Sequence, residues 1–213
     1  MIYLLFQGVS LPICIMTFAI LLFSLCVHEF AHAYVAYKLG DPTAKNLGRM
    51  NISPQSHLTL YGTIAMLFLP IGWANPVPIN SRNLKNPTRG FAWVSAAGPL
   101  SNLLISFVAL LLFYQVFGRI NSANPLLSST LLFLYYFATV NVGLAIFNLI
   151  PIPPLDGSRL LMLAFPNTAR RIMLTYERYG FFIIIVLIYF CSPIFYQLME
   201  WVMSGLIWLV NIV

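Results

Sequence analysis

The sequence has little charge for its length. Only 8% of its 213 residues are Asp, Glu, Lys or Arg, whereas a typical soluble domain has roughly 25%. Hydrophobic residues make up 60% of the chain, which excludes an ordinary soluble domain and indicates an integral membrane protein. At this length we expect a single membrane-embedded domain over residues 1–213, without room for a large soluble appendage.

Acidic residues are especially scarce. Five Asp and Glu stand against eleven Lys and Arg, which gives a formal charge of +6. In a membrane protein, an excess of basic residues marks loops that face the cytoplasm and anionic lipid headgroups. The basic residues are scattered between apolar segments and form no patch, so the pattern does not indicate nucleic-acid binding.

Cysteine motifs and a signal sequence are also missing. The three cysteines lie in apolar runs without a CxxC spacing, which is typical of small apolar packing residues. The N-terminal stretch MIYLLFQGVSLP has no basic region, so it does not predict a cleavable signal peptide.

Five apolar regions follow one another along the chain. The first, third and fourth reach the length of about 20 residues that a spanning helix needs, whereas the second is short and broken by Gly and Pro. The last is interrupted by Ser192-Pro193. It could form one helix plus an interfacial piece, or a tight hairpin. The regions are Leu11 to about Leu39, Leu58–Ala74, Phe91–Phe117, Leu126–Ile150 and Tyr179–Val213. We therefore predict an all-α polytopic bundle of about 4–6 transmembrane helices, with a re-entrant or surface segment near 58–78.

The positions of the basic residues favour this topology. If the segment near 58–78 spanned the membrane, the basic residues would divide four against seven. If it is re-entrant or lies at the surface, Arg119 alone is on one side and the other ten share the opposite side. Because cytoplasmic loops carry the excess of Lys and Arg, we expect the loops after regions one, two and four to face the cytoplasm.

The motif His28-Glu29-Phe30-Ala31-His32 lies within the first apolar region. Residues four apart on a helix share a face, so both imidazoles can reach one metal ion. Glu29 is turned about 100° from His28, close enough to contact a metal-bound water without being a ligand. This HExxH spacing is that of zinc hydrolases. Accidental polar packing is disfavoured, because each ionisable residue in a spanning helix costs about 2–3 kcal/mol.

A catalytic zinc usually has three protein ligands, and the sequence offers few candidates for the third. His57 lies in the loop before the second region, and Glu200 is an isolated acid in the last one. Glu177 stands among basic residues, and Asp41 follows a helix-ending glycine, where a capping or turn role is expected. Asp156 is the best placed.

Asp156 follows the fourth region within the stretch NLIPIPPLDG. We expect the prolines to end the helix and to hold the chain in an extended path, and Gly157 to permit a turn after the acid. His32 lies six residues before Lys38, about 9 Å from the end of its helix. With a re-entrant second region, His32 and Asp156 lie on the same side of the membrane and can meet.

Together these stretches resemble the site-2 protease family of intramembrane zinc metalloproteases, and the resemblance covers most of the chain. HEFAH matches the HExxH of that family, and NLIPIPPLDG matches its NxxPxPxLDG. AGPLSN and WANPVP resemble its middle helix and its PVP segment, and NISPQSHLTLYGT is similar to the histidine-bearing loop of small bacterial members. Ser158 departs from the second glycine of many relatives. The chain resembles the minimal-core bacterial type without a PDZ or CBS domain.

The resemblance implies roles for five residues. His28, His32 and Asp156 would be the ligands of one zinc ion per chain, and Glu29 would be the general base. Asn148 would help to hold the substrate or to stabilise the oxyanion, although a hydrogen bond at the helix end is an alternative. No role follows for His57. Gly98 and Asn102 are expected to serve close helix packing instead.

The expected activity is hydrolysis of peptide bonds in or near the transmembrane segments of membrane proteins, as in regulated intramembrane proteolysis. The partners would be the lipid bilayer, a single-pass membrane protein or peptide as substrate, and a possible regulatory membrane protein. The expected location is the bacterial inner membrane, with the active site near the cytoplasmic face. The alternatives are a divalent-ion transporter and a non-enzymatic membrane scaffold that binds zinc.

Overall fold

A computed structural model describes residues 8–60, 62–64, 75–117, 125–165 and 179–212. In these ranges the chain is built from α-helices. A 3-10 turn at Ser81–Asn83 precedes the fourth helix, and a π-helical turn at Leu112–Phe117 follows it. The helices are α1 Leu11–Lys38, α2 Thr43–Asn46, α3 Pro54–His57, α4 Pro87–Leu111, α5 Pro125–Leu149, α6 Asp156–Ala164 and α7 Gly180–Ile212.

Four helices of the described ranges are long and apolar enough to cross a membrane. The candidate spans are Leu11–Lys38, Pro87–Gln115, Leu126–Leu149 and Phe190–Ile212. The chain is thus an integral membrane protein, which confirms the predicted all-α bundle of about 4–6 spanning helices. Most of the predicted re-entrant or surface segment near 58–78 lies outside the described residues.

Helix α4 lies at the centre of the bundle and packs against α1, α5 and α6. It begins with Pro87, preceded by Asn86, whose side chain accepts a hydrogen bond from the Arg89 amide. The buried face of α4 is rich in small residues, which allow neighbouring backbones to approach closely. At the far end, Ala109 and Leu110 form an apolar cluster with residues of α5 and α7.

Helix α7 is continuous from Gly180 to Ile212, with Pro193 inside it. Of the two paths that the sequence left open, the structure has neither a hairpin nor a break at this proline. Neighbouring helices can accommodate a proline inside a membrane helix. Near its end, α7 contacts the π-helical turn that follows α4, because Gln115 donates a hydrogen bond to the Val210 carbonyl.

The connection between α5 and α6 differs from the expected extended path. Short backbone hydrogen bonds, such as Leu155 N–H to the Ile152 carbonyl at 2.9 Å, fold it into tight turns. The expected reason for Gly157 was also wrong, because this residue lies inside the first turn of α6. A Cβ atom there would lie 2.1 Å from the Leu149 carbonyl oxygen. Glycine is therefore required by the close approach of α6 to the end of α5.

Asp41 ties the end of α1 to the segment before α4. Its carboxylate is buried and accepts hydrogen bonds from the amides of Thr43 at 3.1 Å and Asn80 at 2.7 Å. The Thr43 hydroxyl and the Asn83 side chain also donate to it, Asn83 at 3.0 Å. Burial alone would raise the pKa of Asp41, but these hydrogen bonds to the charged form outweigh it and lower the pKa.

We expect Asp41→Ala to lower the free energy of unfolding by about 2 kcal/mol near pH 7, because buried amides lose a charged acceptor. A carboxyl with a lowered folded pKa stabilises the protein above its unfolded pKa and loses this contribution as the pH falls. The difference between Asp41→Ala and wild type should therefore shrink below about pH 4.

Chemical unfolding in detergent at pH 7 and pH 3 measures this difference. Asp41→Asn, which keeps the shape and one acceptor, should lie between wild type and Asp41→Ala. A gap of equal size at both pH values would contradict the assignment, since it would show that the charge on Asp41 does not contribute.

Candidate metal centre

Two histidines of α1 meet at the centre of the site. His28 and His32 lie one turn apart, and their side chains are buried, with residue exposures of 3% and 4%. Their Nε2 atoms are 3.0 Å apart. The helix thus presents both imidazoles on one face, as the HExxH spacing predicted.

Asp156 reaches the same point from another element. It is the first residue of α6, and its Oδ2 lies 3.1 Å from Nε2 of His28 and 3.1 Å from Nε2 of His32. The structure thus brings together the three residues that the sequence predicted as ligands, although 128 positions separate His28 from Asp156.

The hydrogen bond of His32 determines where its ring proton lies. Its Nδ1 is 2.6 Å from the Val94 carbonyl oxygen, which can only accept. Nδ1 therefore donates, and Nε2 of the neutral ring presents a lone pair towards His28 and Asp156. The Nδ1 atom of His28 lies 2.7 Å from the Asn102 side-chain oxygen.

The donor set fits a zinc ion. Imidazole nitrogens and a carboxylate oxygen are preferred zinc ligands, with bonds of about 2.0–2.2 Å. Three atoms 3.0–3.1 Å from one another can all lie about 2 Å from one point. Lone pairs and a carboxylate repel one another at this separation unless a proton or a cation lies between them.

A positive charge beside Asp156 stabilises its ionised form. Burial alone would raise the pKa of Asp156, but attraction to His32 and hydrogen bonds from both histidines, which place protons on the ring nitrogens, outweigh it. The pKa is lowered well below its usual range, so Asp156 is a carboxylate at neutral pH. On the other oxygen, Nη1 of Arg159 lies 3.8 Å from Oδ1, with its guanidinium over the Phe91 ring.

Glu29 lies beside the three atoms. Its carboxylate is within 4.8 Å of the ring nitrogens of His28 and His32, and the side chain is buried. The Val77 amide donates a hydrogen bond to Oε2 of Glu29 at 2.9 Å. This bond holds the carboxylate towards the segment that precedes α4.

A cavity of about 100 Å³ opens beside these side chains and has room for several water molecules. Asn148 lines this cavity, and one N–H of its amide donates to the Leu144 carbonyl at 3.0 Å. The amide has a second N–H. The cavity is lined by His28, Glu29, His32, Pro76, Val77, Ile79, Asn148, Pro154, Asp156 and Arg159.

Of the other candidate ligands, the three that the structure describes are not part of this wall. His57 is buried in α3, with Nε2 at 2.6 Å from the Asn51 carbonyl oxygen. Asp41 has the turn role described above, and Glu200 is exposed on α7. Glu177 lies outside the described residues.

Sequence reasoning missed the contribution of α4. The packing role expected for Asn102 was incomplete, because its side-chain oxygen bonds to His28. A Cβ atom at Gly98 would lie 2.5 Å from Cε1 of His28 and from Nε2 of His32. Val94, Gly98 and Asn102 are spaced by four residues and share one helix face, but this spacing alone does not show which helix that face contacts.

The chain is similar in sequence to a known family of peptidases. The model of peptidase family M50 matches residues 16–131 and 116–191. YwhC of Bacillus subtilis (strain 168), which bears the name of a zinc metalloprotease, is 39% identical over 186 residues, which are 86% of this chain and 84% of the relative.

Two further relatives also bear the name of a zinc metalloprotease. Rip2 of Mycolicibacterium smegmatis is 30% identical over 189 residues, covering 84% of this chain and 70% of the relative. MJ0392 of Methanocaldococcus jannaschii is 32% identical over 144 residues, which are 68% of this chain and 32% of that protein. No solved structure gives a significant match.

We expect Gly98→Ala to lower the zinc content of the purified protein, because its methyl group would displace both imidazoles. Loss of ligand orientation typically lowers zinc affinity about 10–100-fold. Elemental analysis after dialysis against a competing chelator measures the metal per chain.

Gly143→Ala is the matched control. Its methyl group would lie 3.5 Å from the flexible end of Met199, an ordinary van der Waals distance, so its zinc content should equal that of wild type. A Gly98→Ala protein that retains zinc as firmly as this control would show that the imidazoles tolerate displacement.

Proposed function

Because the chain belongs to peptidase family M50, we propose that it is an intramembrane endopeptidase that hydrolyses peptide bonds in or near transmembrane segments. As a member of this family it is a zinc metalloprotease. The observation that carries the proposal is the convergence of three metal-binding atoms beside a cavity that Glu29 also lines. A catalytic zinc needs such an arrangement, in which three protein ligands leave one position open.

In this proposal His28, His32 and Asp156 hold one zinc ion per chain. Bound zinc would lower the pKa of a water molecule and polarise the carbonyl of the scissile bond. The protein orients these ligands. His32 bonds to a backbone carbonyl, and Asp156 lies in the first turn of a helix. Ligands fixed in this way would hold a bound zinc beside the cavity, where a water molecule can reach it.

Glu29 is the proposed general base. Its carboxylate takes a proton from the attacking water and later passes it to the leaving amine. The hydrogen bond from the Val77 amide uses part of its accepting capacity, and a carboxylate with two oxygens keeps further lone pairs for the water. The Val77 contact therefore orients Glu29 without blocking its chemistry.

Asn148 is the proposed polar contact for the substrate. One N–H of its amide is used by Leu144, and the second is available to donate to a carbonyl or an oxyanion in the cavity. The structure thus combines the helix-end hydrogen bond with a position on the cavity wall, so the two roles considered for Asn148 do not exclude each other.

A substrate must be locally extended at this site, because a helix hides its carbonyls in its own hydrogen bonds. Residues 75–80, which have no helical structure, supply Pro76, Val77 and Ile79 to the cavity wall. We propose that an extended substrate segment lies along this stretch by strand addition.

The proposed location is the bacterial inner membrane, with the site open to the cytoplasm. His32 lies six residues from the end of α1, about 9 Å along the helix, so water has a short path from that face. The proposed substrates are single-pass membrane proteins or peptides, and a regulatory membrane protein is a further proposed partner. The proposed domain covers residues 1–213.

Removing the third ligand tests the site without a substrate. We expect wild type to hold about one zinc per chain, and Asp156→Ala to lose most of it, since two ligands bind weakly. Elemental analysis of detergent-purified protein measures this content. Ser158→Ala, which removes a neighbouring hydrogen bond to the Leu155 carbonyl, should retain the metal. Wild type without zinc, even after zinc is supplied, would refute the proposed centre.

Removing the base should separate binding from chemistry. Glu29→Gln keeps the size of the side chain but cannot accept the proton, so we expect zinc to remain and cleavage to fall by at least about 100-fold. Mass spectrometry of a panel of single-span peptides incubated with each protein measures cleavage. Glu200→Gln makes the same change on the exposed side of α7 and should cleave as wild type does. Full cleavage by Glu29→Gln would refute the assignment of the base.

A further inference from the structure

A chain of buried polar side chains leads from His28 into the middle of the bundle. The Asn102 oxygen lies 2.7 Å from Nδ1 of His28, and the Asn102 amide donates to the Asn141 oxygen at 2.7 Å. The Asn141 amide donates in turn to the Ser24 hydroxyl at 2.8 Å. Ser24, Asn102 and Asn141 each have an exposure of 0%, although polar groups at such depth are costly.

The donor and acceptor roles along these hydrogen bonds are determined at Asn141. The side chain of Asn141 also lies 2.9 Å from the Phe137 carbonyl oxygen. A backbone carbonyl can only accept, so the atom of Asn141 that faces it must be the NH₂ group. The oxygen of Asn141 therefore faces Asn102.

The same reasoning gives the donor and the acceptor in the bond between Asn102 and His28. Because the Asn141 oxygen only accepts, the group of Asn102 that faces it must be the NH₂ group. The Asn102 oxygen is then turned to His28, so Nδ1 of His28 must donate. In a neutral imidazole with a proton on Nδ1, Nε2 carries the lone pair.

We propose that Asn141 is a positioning residue that, through Asn102, selects the tautomer of His28 able to bind zinc. The inference rests on the proposed function, in which Nε2 of His28 is a zinc ligand. The side chain of Asn141 bonds to Asn102, Ser24 and Phe137, and its effect on His28 passes through the orientation of the Asn102 amide group.

Such control is needed for His28 but not for His32. His32 donates to the Val94 backbone carbonyl, which has no second orientation. His28 instead faces a side-chain amide, whose oxygen and NH₂ group are nearly equal in size and can exchange by rotation. With its NH₂ group turned to His28, Asn102 would favour a proton on Nε2, which prevents ligation. Asn141 removes this alternative.

Zinc affinity of single variants tests the inference, with a competing chelator as the measure. Asn141→Leu keeps the volume but leaves Asn102 free to rotate, so we expect about a 10-fold or greater loss of affinity. Asn141→Asp should bind as wild type does, because a buried neutral carboxyl keeps an acceptor for Asn102 and a donor for Phe137. Ser106→Ala is the control, since the Ser106 hydroxyl bonds to the backbone carbonyls of Asn102 and Ala138 at the same helix contact.

A double variant separates orientation from packing. Asn102→Asp has no NH₂ group, so its carboxylate accepts from His28 in either orientation. We therefore expect Asn102→Asp to restore zinc affinity in the Asn141→Leu background. A purely structural role of Asn141 predicts no such rescue. Thermal unfolding and gel filtration of each variant identify any protein that fails to fold.

The outcomes distinguish the inference from the function on which it rests. Wild-type affinity in Asn141→Leu, or equal losses in folded Asn141→Leu and in the double variant, would overturn the role of Asn141 and leave the zinc centre intact. If wild type itself binds no zinc, both the centre and this inference are refuted.

Discussion

The structure depends on how closely three electron-rich side-chain atoms lie to one another in the buried part of the bundle. Nε2 of His28, Nε2 of His32 and Oδ2 of Asp156 lie 3.0–3.1 Å from one another. Buried side chains are screened only weakly, so a cation or a proton between the three atoms would be the main compensation for their mutual repulsion. The features around them serve this approach: α4 has a glycine where the imidazoles need space, and α6 begins with the carboxylate.

Helix α4 is the element against which the other parts are aligned. Val94 bonds to His32, and Asn102, two turns further along α4, bonds to His28. Gly98 lies between them and leaves room for both imidazoles, so the two antiparallel helices match at the histidines. The match explains how a mostly apolar contact can fix the rotation of two imidazole rings.

Much of this arrangement could be predicted from the sequence. Apolar runs near 20 residues determine spans by length alone, and HExxH carries its own geometry because one helix holds both histidines. The prediction that Asp156 joins the histidines required an argument about membrane topology. In the structure its carboxylate lies 3.1 Å from both of them. The bond of Asn102 to His28 depends on how α4 is rotated against α1. The sequence does not show this rotation, because both helices are apolar on most sides. The close approach at Gly157 likewise depends on tertiary contact.

The separation of the cluster along the chain has a consequence for biosynthesis. His28 and His32 leave the ribosome early, whereas Asp156 follows them by more than a hundred residues. It comes after α5, so the cluster is complete only once α1, α4 and α5 have entered the bilayer and packed together. A nascent chain therefore has two histidines without their carboxylate partner, and a metal that needs all three side chains would be bound at full affinity only after membrane assembly.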